Sequence, residues 1–263
     1  MKFSIVMASY NQVNFIKEAI ESVLNQTYQN FELLIIDGNS NDGTIEIINQ
    51  YKNNDKIKIL IEKDEGLYHA RNKGLLLANG DIISFLNTDD YYEKTALEDI
   101  KNAFEMNDNI DVFYGINYAV DKSGKFIRAY GNFEFDKNRM ISKYLAIPDQ
   151  TTFLRANKLP VIGLFDSTFS IVADWDFWQR GMCLNLKFKH LNKHIANYRH
   201  YEETLTFSPK FVEKRFFEVK RLYRKYNNIC FSPFIIKIYY WHYIKRPLKN
   251  IKLIEKFYRK FKS

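Results

Sequence analysis

A chain of 263 residues can bury a large core, either as one big domain or as two fused halves. With 46% apolar and 27% charged residues, five prolines and ten glycines, it is neither fibrous nor of low complexity. Its two cysteines, Cys183 and Cys230, lie far apart without metal-type spacing, which excludes a disulfide scaffold and fits a reducing compartment.

Along the chain, apolar runs suited to buried strands alternate with helical periodicity. The segments 2–9, 31–37, 56–62, 81–87 and 111–117 read as strands. Helices are expected over 14–26, with Asn14 as N-cap and Ile16, Ala19, Ile20, Val23 and Leu24 on one face, and over 43–53, 67–79 and 93–107. Such alternation implies an α/β fold whose mostly parallel sheet is covered on both faces. Ligands of such sheets bind beyond the carboxyl ends of the strands. The polar residues there are Ser9, Tyr10 and Asn11; Asp37, Gly38, Asn39 and Ser40; Asp64 and Glu65; and Asn87, Asp89 and Asp90.

Charge is unevenly spread. The total is +8, yet residues 210–263 hold 16 of the 39 Lys and Arg and only 3 of the 31 acids. An acidic body therefore carries a basic, aromatic-rich tail. A tail of this type reads as a surface for an anionic membrane, with a helical cap on the body as the plainer reading. Nucleic acid is not expected as a partner, because the basic charge is confined to the tail. The opening "MKFSIVMASYNQ" turns polar too soon for a signal peptide, and no run reaches about 18 apolar residues, so no spanning helix is expected.

Several chemistries lack their motifs. There is no G-x-G, no G-x-x-x-x-G-K-[ST], no H-E-x-x-H and no G-x-S-x-G, and His200 and Glu202 form an H-x-E that no P-C-x-x-C follows.

The strand ends taken together do carry a pattern. "SIVMASYNQVNFIKEAIESVLNQTYQNFELLIIDGNSNDGT", then "EKDEGLYHARNKGLLLANGDIISFLNTDD" and, less closely, "VADWDFWQR" resemble family 2 glycosyltransferases, which are inverting enzymes of the GT-A fold. The resemblance covers roughly residues 1–200 and implies a Rossmann-like sheet flanked by helices. It divides the chain into a nucleotide-sugar half (1–117), an acceptor half (118–209) and a basic helical extension (210–263).

Carried over residue by residue, the resemblance implies that Ala8, Ser9 and Tyr10 lie beside the donor nucleotide. Asp37 matches the acid that hydrogen-bonds uracil or ribose, while Asp42 reads as a helix cap. Arg71 matches a position that reaches the nucleotide in relatives, and His69 and Arg71 replace Asp and Met of a common variant. "NTDD" corresponds to a metal-binding D-x-D in which Asn87 replaces the first acid. An amide there still bonds a ribose hydroxyl, and Asp89 and Asp90 are left to hold Mn²⁺ or Mg²⁺ on a diphosphate. In "IPDQTTFLR" Gln150 is kept and Asp149 stands where relatives carry His. In "VADWDFWQR" the general base falls on Asp174, with Asp176 the alternative. Arg199 and His200 are read either as reaching the diphosphate or as surface residues.

The implied reaction is inverting transfer from a nucleotide-diphosphate sugar, UDP-linked by expectation, to a glycan or polyprenyl-diphosphate-linked saccharide. The expected setting is bacterial surface-polysaccharide assembly at the cytoplasmic face of the membrane. A nucleotide-sugar-binding protein without transfer activity is the second reading, and a nucleic-acid-binding module using the basic tail comes after it. Nothing in the sequence names the oligomeric state.

Overall fold

The computed structural model describes residues 1–136, 147–201, 204 and 208–227. Those up to Tyr201 form one compact unit, and Thr204 with 208–227 belong to a second. In chain order the first unit runs β1 (Phe3–Ser9), α1 (Ile16–Leu24), β2 (Phe31–Asp37), α2 (Thr44–Asn49), β3 (Ile57–Ile61), α3 (Leu67–Leu77), β4 (Ile82–Phe85), β5 (Tyr91–Tyr92), α4 (Ala96–Glu105), β6 (Val112–Val120), β7 (Phe126–Tyr130), β8 (Thr152–Arg155), α5 (Leu159–Ile162), α6 (Ala173–Cys183) and β9 (Phe188–Arg199).

All nine strands join one sheet, in the order β3-β2-β1-β4-β8-β6-β9-β5, with β7 added beside β6. The first four are parallel, in a register that puts Ser9 opposite Asp37 and Asp37 opposite Ile61. Beyond β4 the sheet is mixed: β8 runs antiparallel to both β4 and β6, while β6 and β9 are parallel. The expected parallel sheet is thus the N-terminal part of a larger mixed one. The division expected at residue 117 falls inside β6.

β1 and β2 are buried along their whole length, as continuous apolar strands covered on both faces must be. On one face Phe3, Ile5 and Met7 share a core with Ile16, Ile20 and Val23 of α1 and Leu97, Ile100 and Phe104 of α4. Sequestering each such side chain stabilises the fold by about 1.5–3 kcal/mol before chain entropy is counted. On the other face Ala8 and Ile36 meet Ala70 of α3. Gly74 lets α3 approach closely, because a Cβ there would overlap the Val6 methyls.

Two local expectations change. Helix α1 starts at Ile16 rather than after Asn14, and it has no side-chain cap. Gln12 instead closes a turn, its carbonyl accepting the N–H groups of Phe15 and Ile16. The helix expected over 93–107 is shorter, because Tyr91–Tyr92 leave to pair with β9 and Glu93 N–H bonds the Ile195 carbonyl.

At the amino end of the parallel strands, Glu32 accepts from Ser4 Oγ (2.6 Å), Asn79 N–H (2.7 Å), Lys58 Nζ (2.9 Å) and Lys2 Nζ (3.1 Å). Burial raises its pKa, but these donors outweigh that and hold it near about 2.

In the second unit, Val212–Asn227 is a helix, α7. The tail from 228 onward, which holds most of the membrane-surface expectation, lies outside the described residues. No described helix is long and apolar enough to cross a membrane.

Candidate active site

The carboxyl ends of β1 to β4 share one rim, and the loops there are cross-tied. Gly38 N–H bonds the Ser9 carbonyl at 2.9 Å, joining the ends of β1 and β2. Asp37 is fully buried and accepts from both the N–H and the hydroxyl of Ser40, at 2.8 Å each. Ser40 Oγ in turn accepts Asn11 N–H (2.8 Å), and Asn11 Oδ1 accepts Asn41 N–H (3.0 Å). Asp42 bonds Val13 N–H and the Thr44 N–H, tying the start of α2 to the β1 loop; the N-cap itself is Gly43, without a side-chain cap bond, so Asp42 is not the cap that was expected. Asn11 and Asn39 both sit at positive φ, a conformation that asparagine tolerates better than most residues. Tyr10 projects from this frame with 61% of its surface exposed, while Ser9 and Ala8 are buried. Asp64, on the same rim, is held by Lys73 (2.5 Å) and His69 (3.2 Å).

The loop after β4 gives its two aspartates different surroundings. Asp90 is fully buried, and three N–H donors occupy its oxygens: Gln150 Nε2 (2.8 Å), Asn87 Nδ2 (2.9 Å) and Arg199 N–H (3.0 Å). Burial, then the charge of Asp89, pushes its pKa well above the carboxylate range. Asp89 is half-buried, and its carboxylate accepts the Tyr201 hydroxyl at 2.9 Å. Burial raises its pKa too. Arg199 is not the surface residue of one reading: it is buried, binds the Asp89 carbonyl (2.9 Å) and pairs with Glu18 (2.6 Å).

Arg71 stands where sequence alone would leave a solvated side chain. It is 3% exposed, pairs with Asp149 Oδ2 at 2.7 Å and donates to Asn87 Oδ1 at 2.9 Å. The rings of Phe85, Tyr68 and Phe165 lie 5.1–5.6 Å from its guanidinium carbon. Asp149, left without a role by the sequence, also accepts Trp178 Nε1–H at 3.0 Å. Asn87 and Gln150 both belong to this polar network, each joined to Asp90.

Helix α6 settles how its two first-turn acids differ. Asp176 is fully buried and paired with Arg180 at 3.0 Å, one turn along. Asp174 is half-buried and accepts the Tyr68 hydroxyl at 3.0 Å. Burial, then the nearby Asp149, raises its pKa to about 7; Arg71 and the Tyr68 hydrogen bond pull the other way. A carboxyl poised there suits a general base at neutral pH. Tyr68, Asp149 and Trp178 were not legible as site residues, since their partners lie 106 (Asp174), 78 (Arg71) and 29 (Asp149) positions away.

Among the described residues no three His, Cys, Asp or Glu gather as a metal cage. A divalent ion here would rest on a carboxylate of the β4 loop and take further ligands from substrate phosphates, the usual arrangement for Mg²⁺. The half-buried hard-oxygen carboxylate of Asp89 fits that requirement.

Known proteins share this architecture. TarS of S. aureus (residues 1–349), solved with UDP, superposes with a TM-score of 0.67 over 97% of this chain and 77% of its own, at 22% identity. The mannosyltransferase PcManGT of Pyrobaculum calidifontis, solved with GDP-Man and Mn²⁺, gives 0.63 over 92% of this chain and 70% of its own, at 14% identity. At such identities the likeness shows the fold, which is GT-A. An uncharacterized glycosyltransferase of Methanocaldococcus jannaschii is 27% identical over 247 residues, 90% of this chain and 85% of its own. The chondroitin synthase of Pasteurella multocida is 31% identical over 196 residues, covering 74% of this chain but only 20% of that protein. Residues 4–163 match the model described as Glycosyl transferase family 2, more than half the chain, and the chain belongs to that family.

Proposed function

We propose that this glycosyltransferase is inverting and metal-assisted, transferring a sugar from a nucleotide-diphosphate sugar to a hydroxyl of a glycan or lipid-linked saccharide. The observation that carries it is Asp174: a half-buried carboxyl with a pKa near about 7, oriented by Tyr68, in a fold whose neighbours were solved with nucleotide sugars. Asp174 takes the acceptor proton as the hydroxyl oxygen attacks the anomeric carbon from the face opposite the leaving diphosphate. Single displacement needs no enzyme nucleophile and inverts the centre.

On the donor side, Asp37, buried within the cross-tied loops, is the acid for the ribose or uracil, with Ser9 opposite it on β1, Ala8 next along that strand and Tyr10 exposed to stack on the base. Asp89 is the metal-holding carboxylate; Asp90, which the sequence reading also gave to the metal, is fully buried with its oxygens taken by Asn87, Gln150 and the Arg199 N–H, and it holds the loop instead. A bound Mn²⁺ or Mg²⁺ would stabilise the negative charge of the leaving diphosphate. Arg71, enclosed and paired, acts on the donor through Asn87 rather than by direct contact.

UDP is the favoured nucleotide, supported by the fold likeness to a protein solved with UDP and UDP-GlcNAc. A place in polysaccharide assembly, on the cytoplasmic face of a membrane with the basic tail against anionic lipid, is supported by the likeness to chondroitin and hyaluronan synthases and by the tail's charge. The deciding experiment is nucleotide release across a panel of UDP- and GDP-sugars with saccharide acceptors, with and without Mn²⁺. Release that depends on acceptor and on Asp174 supports transfer. Tight binding without release identifies a non-catalytic binder. Salt-sensitive loss of liposome binding on truncation near residue 209 tests the tail.

A further inference from the structure

We propose that the buried Arg71–Asp149 ion pair is a positioning element that holds the helix of the base against the acid loop and sets the electrostatic field in which Asp174 exchanges its proton. This rests on the reading of Asp174 as the base, and it adds two residues to that reading.

The geometry is a continuous polar path between two chemical groups on different elements. Starting at the β4 loop, Asp90 is held by Asn87, and Asn87 Oδ1 accepts from Arg71 on α3 at 2.9 Å. Arg71 pairs at 2.7 Å with Asp149, in the short turn before β8. Asp149 accepts Trp178 Nε1–H at 3.0 Å, and Trp178 lies four residues after Asp174, on the same face of α6. A second route returns from Asp174 to α3 through the Tyr68 hydroxyl at 3.0 Å, three residues before Arg71. Arg71 and Asp149 therefore tie α3, the β4 loop and α6 together at the point where donor phosphates and acceptor hydroxyl must meet.

Burying a pair of charges takes both out of water, and an apolar pair of similar size is often as stable. A fold that needed only cohesion here had a cheaper solution, which points to the charges themselves. Asp174 is faced by Tyr68 and Arg71 from α3 and by Asp149 from the turn before β8, while the Asp176–Arg180 pair of its own helix lies on another face. Of these, the Asp149 charge is the one that raises its pKa most after burial, and Arg71 opposes it. Moving apart the two charges, or deleting one, shifts the proton affinity of the base without touching it.

The test uses ¹³C-aspartate-labelled full-length protein, with the Asp174 carboxyl resonance identified by its loss in Asp174→Asn. Its titration midpoint is followed in wild type, in Asp149→Asn and in the Arg71→Met/Asp149→Asn double variant. The double variant leaves no unpaired buried charge, so it folds even where the single change weakens the protein. The expected midpoint falls by about one unit or more in Asp149→Asn, the scale of a nearby charge, and by less in the double variant. An unmoved or raised midpoint in Asp149→Asn overturns the proposal, as does a double variant that shifts further than the single one. The base reading is tested separately by turnover: an active Asp174→Asn removes it, whatever the titration gives.

Discussion

The cross-tied loops after β1 and β2 and the buried cluster around Arg71 both fix polar groups at one end of a sheet, but by opposite means. In the loops, the carboxylates of Asp37 and Asp42 are met by neutral hydroxyl and backbone N–H donors of Ser40, Val13 and Thr44 at 2.8–3.1 Å, and Asn11 joins the same frame. Around Arg71, charges are enclosed among aromatic rings and satisfied by one another, by the Asn87 amide, by the Trp178 indole and by the Tyr68 hydroxyl. A frame in which carboxylates meet neutral donors keeps its shape without a paired cation, so it suits a surface that must be ready for a nucleotide. An enclosed set of charges responds to every change of charge nearby, so it suits proton transfer.

Four outcomes would break or sharpen that contrast. The largest is expected for Asp174→Asn, which should lower turnover by about 10²–10⁴-fold, the range of a lost general base, while UDP affinity by calorimetry stays at the wild-type value. Substantial residual turnover would leave the charged cluster without its catalytic purpose.

Next come the neighbouring acids of the β4 loop. Asp89→Ala should erase the Mn²⁺-dependent gain in UDP binding with little change in melting. Asp90→Asn should do the reverse, because a donor amide would face Asn87 and Gln150. Leaving such buried groups unsatisfied costs about 1–3 kcal/mol, readable by denaturant unfolding. Equal effects of the two changes on metal binding would cancel the distinction drawn between them.

The third concerns pH at the far end of the sheet. Glu32 titrates below its ordinary 4.5, near about 2 in the folded protein. Its contribution is therefore fully present above about 4.5 and lost as pH falls through about 2. Glu32→Gln should cost about 1–2 kcal/mol at pH 7, its lysine partners being half in solvent, and the gap from wild type should close on acidification.

The smallest effect has the opposite sign. Asp174 is raised from 3.8 to about 7, so its protonated form favours the fold, and that contribution fades as pH rises through about 7. Asp174→Asn should accordingly melt about 2–4 °C higher than wild type at pH 8, for roughly 1 kcal/mol, and show less advantage at pH 5. A lower melting temperature at pH 8 would mean that the carboxylate is stabilising, against its enclosed surroundings.

The contrast also explains what could be read from the sequence. The loops after β1 and β2 were legible because their strands are continuous apolar runs and their turn residues are the types that ligand-facing loops use. Asp37, Ser9 and Tyr10 could be placed on one rim from the parallel register alone. Asp149 and Arg71 could not, because an ion pair spanning 78 positions leaves no local pattern, and an arginine at the start of a helix usually faces water. Asp176 stood as the alternative to Asp174 as the base, and its pairing with Arg180, one turn along the same helix, left no mark in the sequence by which to set it aside. The mixed half of the sheet escaped for a related reason: β8 is four residues long and β5 only two, too short for a periodicity to register.

Gly74 gives the site an unexpected sensitivity. It lies three residues after Arg71 and six after Tyr68 on α3, remote from the chemistry, and its missing side chain sets how near that helix comes to β1. One added methyl would overlap the Val6 side chain, so Val6 or the helix must shift, and where the helix gives, both residues travel with it. Variation at this inconspicuous position is therefore a route by which drift, or a protein engineer, could retune catalysis while every reacting group remains in place.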